Sequence, residues 1–109
     1  MIKIDKPWGF EEILETNDNY TVKRLTMYNG HKCSLQYHNY KKETIYVLSG
    51  KLCIHLNDKE ITYNEGDIIT IDPTVIHRME GKFGDVVYLE CSTSQLDDVI
   101  RIKDDYDRK

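Results

Sequence analysis

The chain has 109 residues, 39% hydrophobic and 31% charged, a balance that sustains one folded core and excludes an intrinsically disordered chain. Fifteen basic against nineteen acidic residues leave a formal charge of −4 with the basic residues scattered, which argues against nucleic acid as a partner. No apolar run reaches the length of a membrane span and the first residues lack the apolar stretch of a secretion signal, so a cytoplasmic location without membrane contact is expected. Cys33, Cys53 and Cys91 are odd in number and form no Cys-x-x-Cys pair, which fits reduced structural thiols rather than disulfides or a thiolate zinc site.

Short alternating apolar segments separated by turn signals predict strands throughout. The first two cover 10–14 and 20–28, divided by Thr16-Asn17-Asp18-Asn19. In the second, Tyr20, Val22, Arg24, Thr26 and Tyr28 share one face, and Thr21, Lys23, Leu25 and Met27 the other. Strands over 33–38, 44–48 and 51–56 follow; Ser49-Gly50 breaks the chain before Leu52, Ile54 and Leu56 alternate inward. Segments 60–63 and 67–71 bracket Asn64-Glu65-Gly66, a hairpin connection in which Gly66 supplies a positive φ. Val86 to Cys91 is the last strong strand, and the charged tail from Leu96 to Arg108 reads as a short helical or irregular segment. About eight short strands with no sustained helical period predict an all-β, single-domain jelly-roll barrel, since closing or doubling the sheet hides its edges. The domain spans 1–109, with its core at about 20–95 and an N-terminal strand and the C-terminal tail packed on the barrel.

One constellation carries chemistry. Gln36 and His38 are two apart on a predicted strand and emerge on one face; Glu43 follows a polar turn and begins the neighbouring antiparallel strand; His77 lies just past Asp72-Pro73-Thr74, where the proline ends a strand. Two imidazoles, a carboxylate and an amide oxygen suit one divalent ion, zinc first and otherwise Mn, Co, Ni or Fe, rather than Ca or Mg. His31 and His55 fit no ligand spacing, and His55 should face solvent or a partner. Trp8, after Pro7, is expected to plug the barrel or to form a dimer contact.

The spacing Gly30, Gln36, His38, Glu43, Gly50, followed by Gly66, Asp72, Thr74, His77, resembles the paired motifs of cupins, with Gln36 at the usual first His and Asp72 and Thr74 at the usual Pro and Gly. The flanks narrow this. Pro7-Trp8-Gly9, Ser34-Leu35-Gln36-Tyr37-His38 and Asp98-Val99-Ile100-Arg101-Ile102-Lys103-Asp104-Asp105-Tyr106-Asp107-Arg108 resemble the C-terminal cupin domain of type II mannose-6-phosphate isomerases, often fused to a mannose-1-phosphate guanylyltransferase. Gln at the first ligand position is usual there. Three histidines that the family often carries around the glutamate are absent, and Lys41 stands in for an arginine.

The resemblance implies a metal-dependent aldose–ketose isomerase acting on a sugar phosphate, in which the ion polarises the C1 and C2 oxygens and a base moves a proton through an enediol. Glu43 is the tentative catalytic residue, and Glu12, Tyr40, Tyr46 or a metal-bound hydroxide are further candidates for the base. Lys41, Arg101, Arg78 and Arg24, with Lys32, are candidates to hold the phosphate. The alternatives are a non-catalytic metal- and sugar-binding cupin, a partner of a separate sugar nucleotidyltransferase, a nucleotide-sugar isomerase or epimerase, and an iron-dependent oxygenase. No Gly-rich nucleotide loop is present, which excludes guanylyltransferase activity from these residues. A homodimer is expected, because exposed sheet edges invite pairing.

Overall fold

The computed structural model describes residues 1–95 and 97–106; Leu96 and residues 107–109, and with them the last two residues of the closing motif, lie outside the described residues. Eleven strands, β1 Ile2–Lys6, β2 Gly9–Thr16, β3 Thr21–Met27, β4 Leu35–Tyr37, β5 Glu43–Ser49, β6 Leu52–Leu56, β7 Lys59–Tyr63, β8 Ile68–Ile71, β9 His77–Glu80, β10 Val86–Ser92 and β11 Ile100–Lys103, form two antiparallel sheets. One sheet has the order β1-β2-β3-β10-β5-β8 and the other β11-β4-β9-β6-β7. No helix occurs among the described residues, and none is therefore long and apolar enough to cross a membrane.

The alternation along each strand decides which side chains meet between the sheets. Thr21, Lys23, Leu25 and Met27 of β3 are buried, as their parity predicts, and are paired by register with Ser92, Glu90, Tyr88 and Val86 of β10. Leu52 and Ile54 of β6 share one apolar cluster with Val47 and Ile45 of β5, which also takes in Met79, Ile71 and Trp8. Tyr88, Met27, Ile45, Leu52 and Ile54 are fully buried, each worth roughly 2 to 3 kcal/mol over its exposed state. Trp8 is buried in that cluster.

Three strands were not expected. β1 pairs with β2 at the edge of the larger sheet. His-Arg-Met-Glu at 77–80 carries no strand-like alternation of β-branched residues, yet pairs with β6 on one side and with Gln36 of β4 on the other. The tail, expected to be helical or irregular, contributes β11, which pairs with β4. Tertiary pairing overrides weak local propensity in all three. β4 is also shorter than predicted, covering only 35–37, so His38 lies one residue beyond it.

The turns follow the expected chemistry. Gly66 sits at φ 86° after Asn64 and Glu65, and Gly50 at φ 83°, where a Cβ would lie 2.5 Å from the Asp85 carbonyl oxygen. Thr74, at the position where cupins carry glycine, keeps a left-handed backbone at φ 71° and donates its N–H to the His38 carbonyl at 2.6 Å.

Candidate metal centre

His38, Glu43 and His77 meet inside the barrel with their donor atoms within 4.8 Å of one another. Glu43 arrives from an unexpected direction. It begins β5, which belongs to the opposite sheet from β4, so the carboxylate reaches across the barrel rather than from a hydrogen-bonded neighbour strand. His77 is the first residue of β9, in register with Gln36 of β4 and Leu56 of β6.

Each imidazole is oriented by its other nitrogen. His77 Nδ1 donates to the Val75 carbonyl at 2.9 Å, and His38 Nδ1 to the Asp98 carbonyl, which turns both Nε2 atoms toward Glu43. The Asp98 carboxylate in turn accepts the backbone N–H groups of Asn39 (3.0 Å), Tyr40 (2.7 Å) and Lys41 (3.0 Å), pinning the loop between His38 and Glu43. Those three contacts, that of Tyr40 first, hold the Asp98 carboxyl below its ordinary range.

The convergent atoms are the ones left over. His38 Nε2, His77 Nε2 and both oxygens of Glu43 are buried without a well-formed hydrogen bond among the described residues, although His77 Nε2 is 3.0 Å and His38 Nε2 3.8 Å from Glu43 Oε1. Buried polar atoms are rarely left so. Two lone pairs and a carboxylate aimed at one point are the donor set of a divalent transition ion, so these residues fit a resident metal. Gln36 faces the same cavity, in register with His77 and with Arg101 of β11; its Oε1 accepts the Ser34 hydroxyl at 2.6 Å and keeps a second lone pair.

Charge around the set is arranged by burial. Burial would raise the Glu43 carboxyl, but His77 and Lys41 together hold it low. His77 is raised despite its burial by the Glu43 carboxylate, whereas burial dominates at His38 and lowers it. Lys41, 6% exposed, places its ammonium 3.1 Å from Glu90 and 3.5 Å from Glu43, and these two carboxylates raise it against the cost of burial. Glu90 is pushed up by burial and by the charge of Glu43, which together outweigh Lys41 and Lys23.

A cavity of about 430 Å³ opens onto the set, and its lining includes Gln36, His38, Lys41, Glu43, Glu90 and Arg101 together with Glu11, Lys23, Trp8, Tyr88, Val99 and Asp97. Of the residues expected at a substrate site, Lys41 and Arg101 are brought to this cavity. Arg24 is not: it lies on the outer face of β3, clamped by Glu12 through two contacts of 2.9 Å, and Glu12 is removed from the site with it. Arg78 is buried on the outer face of β9, donating to the Cys33 carbonyl (2.9 Å) and Asp105 (3.2 Å), while Lys32 pairs with Asp105 at 3.7 Å. Tyr40 is 74% exposed and Tyr46 faces outward, so neither joins the His38, Glu43 and His77 cluster.

Glu11, Lys23 and Glu90 line the cavity and were missed. Their signal is parity: each occupies an inward position of a strand whose other inward residues are apolar or small, and a charged residue there points to a polar interior.

Solved structures share this architecture. KdgF from Halomonas sp. has a TM-score of 0.80 at 14% identity, covering 89% of this chain and 91% of that one. The capsular polysaccharide assembling protein CapF from Staphylococcus aureus also gives 0.80, at 18% identity over 94% of this chain and 34% of its own. A cupin superfamily protein from Desulfitobacterium hafniense gives 0.70 at 19% identity, covering 76% and 74%. Among curated proteins, the xanthan biosynthesis protein XanB from Xanthomonas campestris is 31% identical over 97% of this chain and 24% of its own length. A mannose-1-phosphate guanylyltransferase from Escherichia coli K12 is 31% identical over 97% and 23%. The chain thus spans about a quarter of the length of these relatives. Residues 1–104 match the family described as "Mannose-6-phosphate isomerase C-terminal", and with the cupin barrel and its His-Glu-His cluster in place, the chain belongs to that family.

Proposed function

We propose that the protein is a metal-dependent isomerase that interconverts a phosphorylated aldose and its ketose, with mannose 6-phosphate and fructose 6-phosphate as the first pair to test. The observation that carries this reading is the orphaned His38, Glu43 and His77 donor set opening onto a cavity that also holds an arginine, a lysine and a carboxyl group raised toward neutrality. Gln36 would complete the set. A bound zinc, or Mn or Co in its place, supplies Lewis-acid polarisation of the sugar's carbonyl and hydroxyl oxygens.

The chain's own residues supply the rest. Glu90, inside the cavity and poised by its burial to take and return a proton, is placed to serve the C1–C2 transfer. Lys41 neutralises Glu43 and Glu90 and has one further N–H to offer an anion, whereas Arg101 presents a planar fork suited to a phosphate. Trp8 and Tyr88 contribute aromatic wall to the cavity.

The test is turnover of hexose phosphates by protein loaded with Zn, Mn or Co. Isomerisation is expected, with Glu43→Gln inactive and Arg101→Ala raising KM while changing kcat little, since the phosphate is remote from the reacting carbons. Binding of sugars or nucleotide sugars in calorimetry without turnover of any hexose phosphate would overturn the isomerase reading in favour of a non-catalytic sugar-binding cupin or a nucleotide-sugar isomerase. The missing histidines near Glu43 are the feature that would then explain the difference.

A further inference from the structure

Strands β6 and β9 carry side chains toward both faces of their sheet. His77 and Met79 point inward with Leu56 and Ile54, and on the opposite face Cys53 lies in register with Glu80, and His55 with Glu60 of β7. His55 Nε2 is 2.8 Å from Glu80 Oε1 and 3.9 Å from Cys53 Sγ, and the three donor atoms all lie within 4.8 Å of one another. Cys53 is fully buried although it faces outward, while His55 and Glu80 are partly exposed.

We propose that Cys53, His55 and Glu80 form a second metal site on the outer face of this sheet, taking zinc or a similar borderline divalent ion, with Glu60 able to close the coordination. Tetrahedral zinc with sulfur at about 2.3 Å and nitrogen or oxygen at about 2.1 Å separates a sulfur from a nitrogen by roughly 3.5 Å and a nitrogen from an oxygen by roughly 3.4 Å. The observed 3.9 Å is slightly longer and the observed 2.8 Å somewhat shorter than those spacings, differences reachable by small χ rotations on a fixed backbone. The donors come from paired strands, so the sheet register itself sets their separation. Two carboxylates, Glu80 and Glu60, stand at this face; of the neighbouring cations, Lys82 is paired to Glu60, and Arg78, in register with His55, is held by the Cys33 carbonyl and Asp105. Coordination by the Cys53 sulfur would release the thiol proton. The site shares no residue with the inner centre and stands independently of the isomerase reading.

Cobalt(II) distinguishes the two centres, because only the outer donor set includes a sulfur, and thiolate-to-cobalt charge transfer absorbs in the near ultraviolet. The experiment uses the full chain with Cys91→Ser to remove the exposed thiol. Two equivalents of cobalt are expected in equilibrium dialysis, together with the thiolate band. His77→Ala should lose one equivalent and keep the band; Cys53→Ser should lose the band; His55→Gln and Glu80→Gln should each weaken the thiolate-marked equivalent at least tenfold. These last two sit at partly exposed positions and keep the question open to measurement should Cys53→Ser unfold. A single equivalent that disappears with His77→Ala, or a band that persists in Cys53→Ser, would overturn the proposal.

Discussion

Thr74 holds a β-branched side chain at φ 71°, a conformation that costs about 1 to 3 kcal/mol outside glycine. Its N–H closes onto the His38 carbonyl, so the strain is maintained beside a metal donor. Thr74→Gly relieves that strain but frees the unfolded chain by up to about 1 kcal/mol, and a net gain of roughly 0 to 2 kcal/mol is expected in urea unfolding. A loss instead would show that the threonine side chain makes contacts that outweigh its backbone. Glu90 gives the pH dependence. Its carboxyl is raised from 4.5 to about 7, so the folded state holds a proton that the unfolded chain has released; the stability this contributes is complete below about 4.5 and is lost as pH rises through about 7. The metal-free protein is therefore expected to weaken by a few kcal/mol across that window. Glu43, lowered to about 2, acts in the opposite sense and below it, its contribution fading as pH falls from 4.5 toward 2. Glu90→Gln should flatten the upper limb of a stability-against-pH series, and an unchanged limb would remove Glu90 as its cause.

At the scale of the elements, the loop after β4 depends on a segment far along the chain. Asp98→Ala deletes the acceptor of three backbone N–H groups while leaving the carbonyl that His38 meets, and loss of such supporting bonds typically lowers metal affinity 10- to 100-fold. Competition against a chelator measures this, and Asp98→Asn, which keeps one acceptor oxygen, should fall between. This contact also marks what sequence can and cannot convey. Parity along β3, β6 and β10 and the turn residues at Asn64–Gly66 are local properties, and they place those strands correctly. The convergence of His38, Glu43 and His77 is legible because their spacing is fixed by the same strands and turns. β9 and β11 are not, since His77–Glu80 and Ile100–Lys103 become strands only through partners distant in sequence. Arg24 and Glu12 share the outward parity of Tyr20 and Val22, a sign that separates them from the cavity, whereas the inward Lys23, Glu11 and Glu90 announce it.

For the molecule as a whole, the inner centre ties the two sheets together, with Glu43 on one and His77 on the other, so the ion should act as a cross-brace. Zinc at a hundredfold excess over its dissociation constant adds about 2.7 kcal/mol, which for a domain near this size corresponds to a rise in Tm of roughly 10 to 20 °C. His77→Ala should abolish most of that rise in differential scanning calorimetry; a rise of undiminished size would place the stabilising ion elsewhere. The reach of Asp98 back to His38 has a further consequence in the order of synthesis. Gln36, His38, Glu43 and His77 all leave the ribosome before Asp98, which lies 60 residues beyond His38. A nascent chain halted at residue 95 would own every donor atom and still lack the carbonyl that aims the first imidazole. An ion held by these donors should then be captured late in the protein's biogenesis, after the return of its tail and not at the appearance of its ligands.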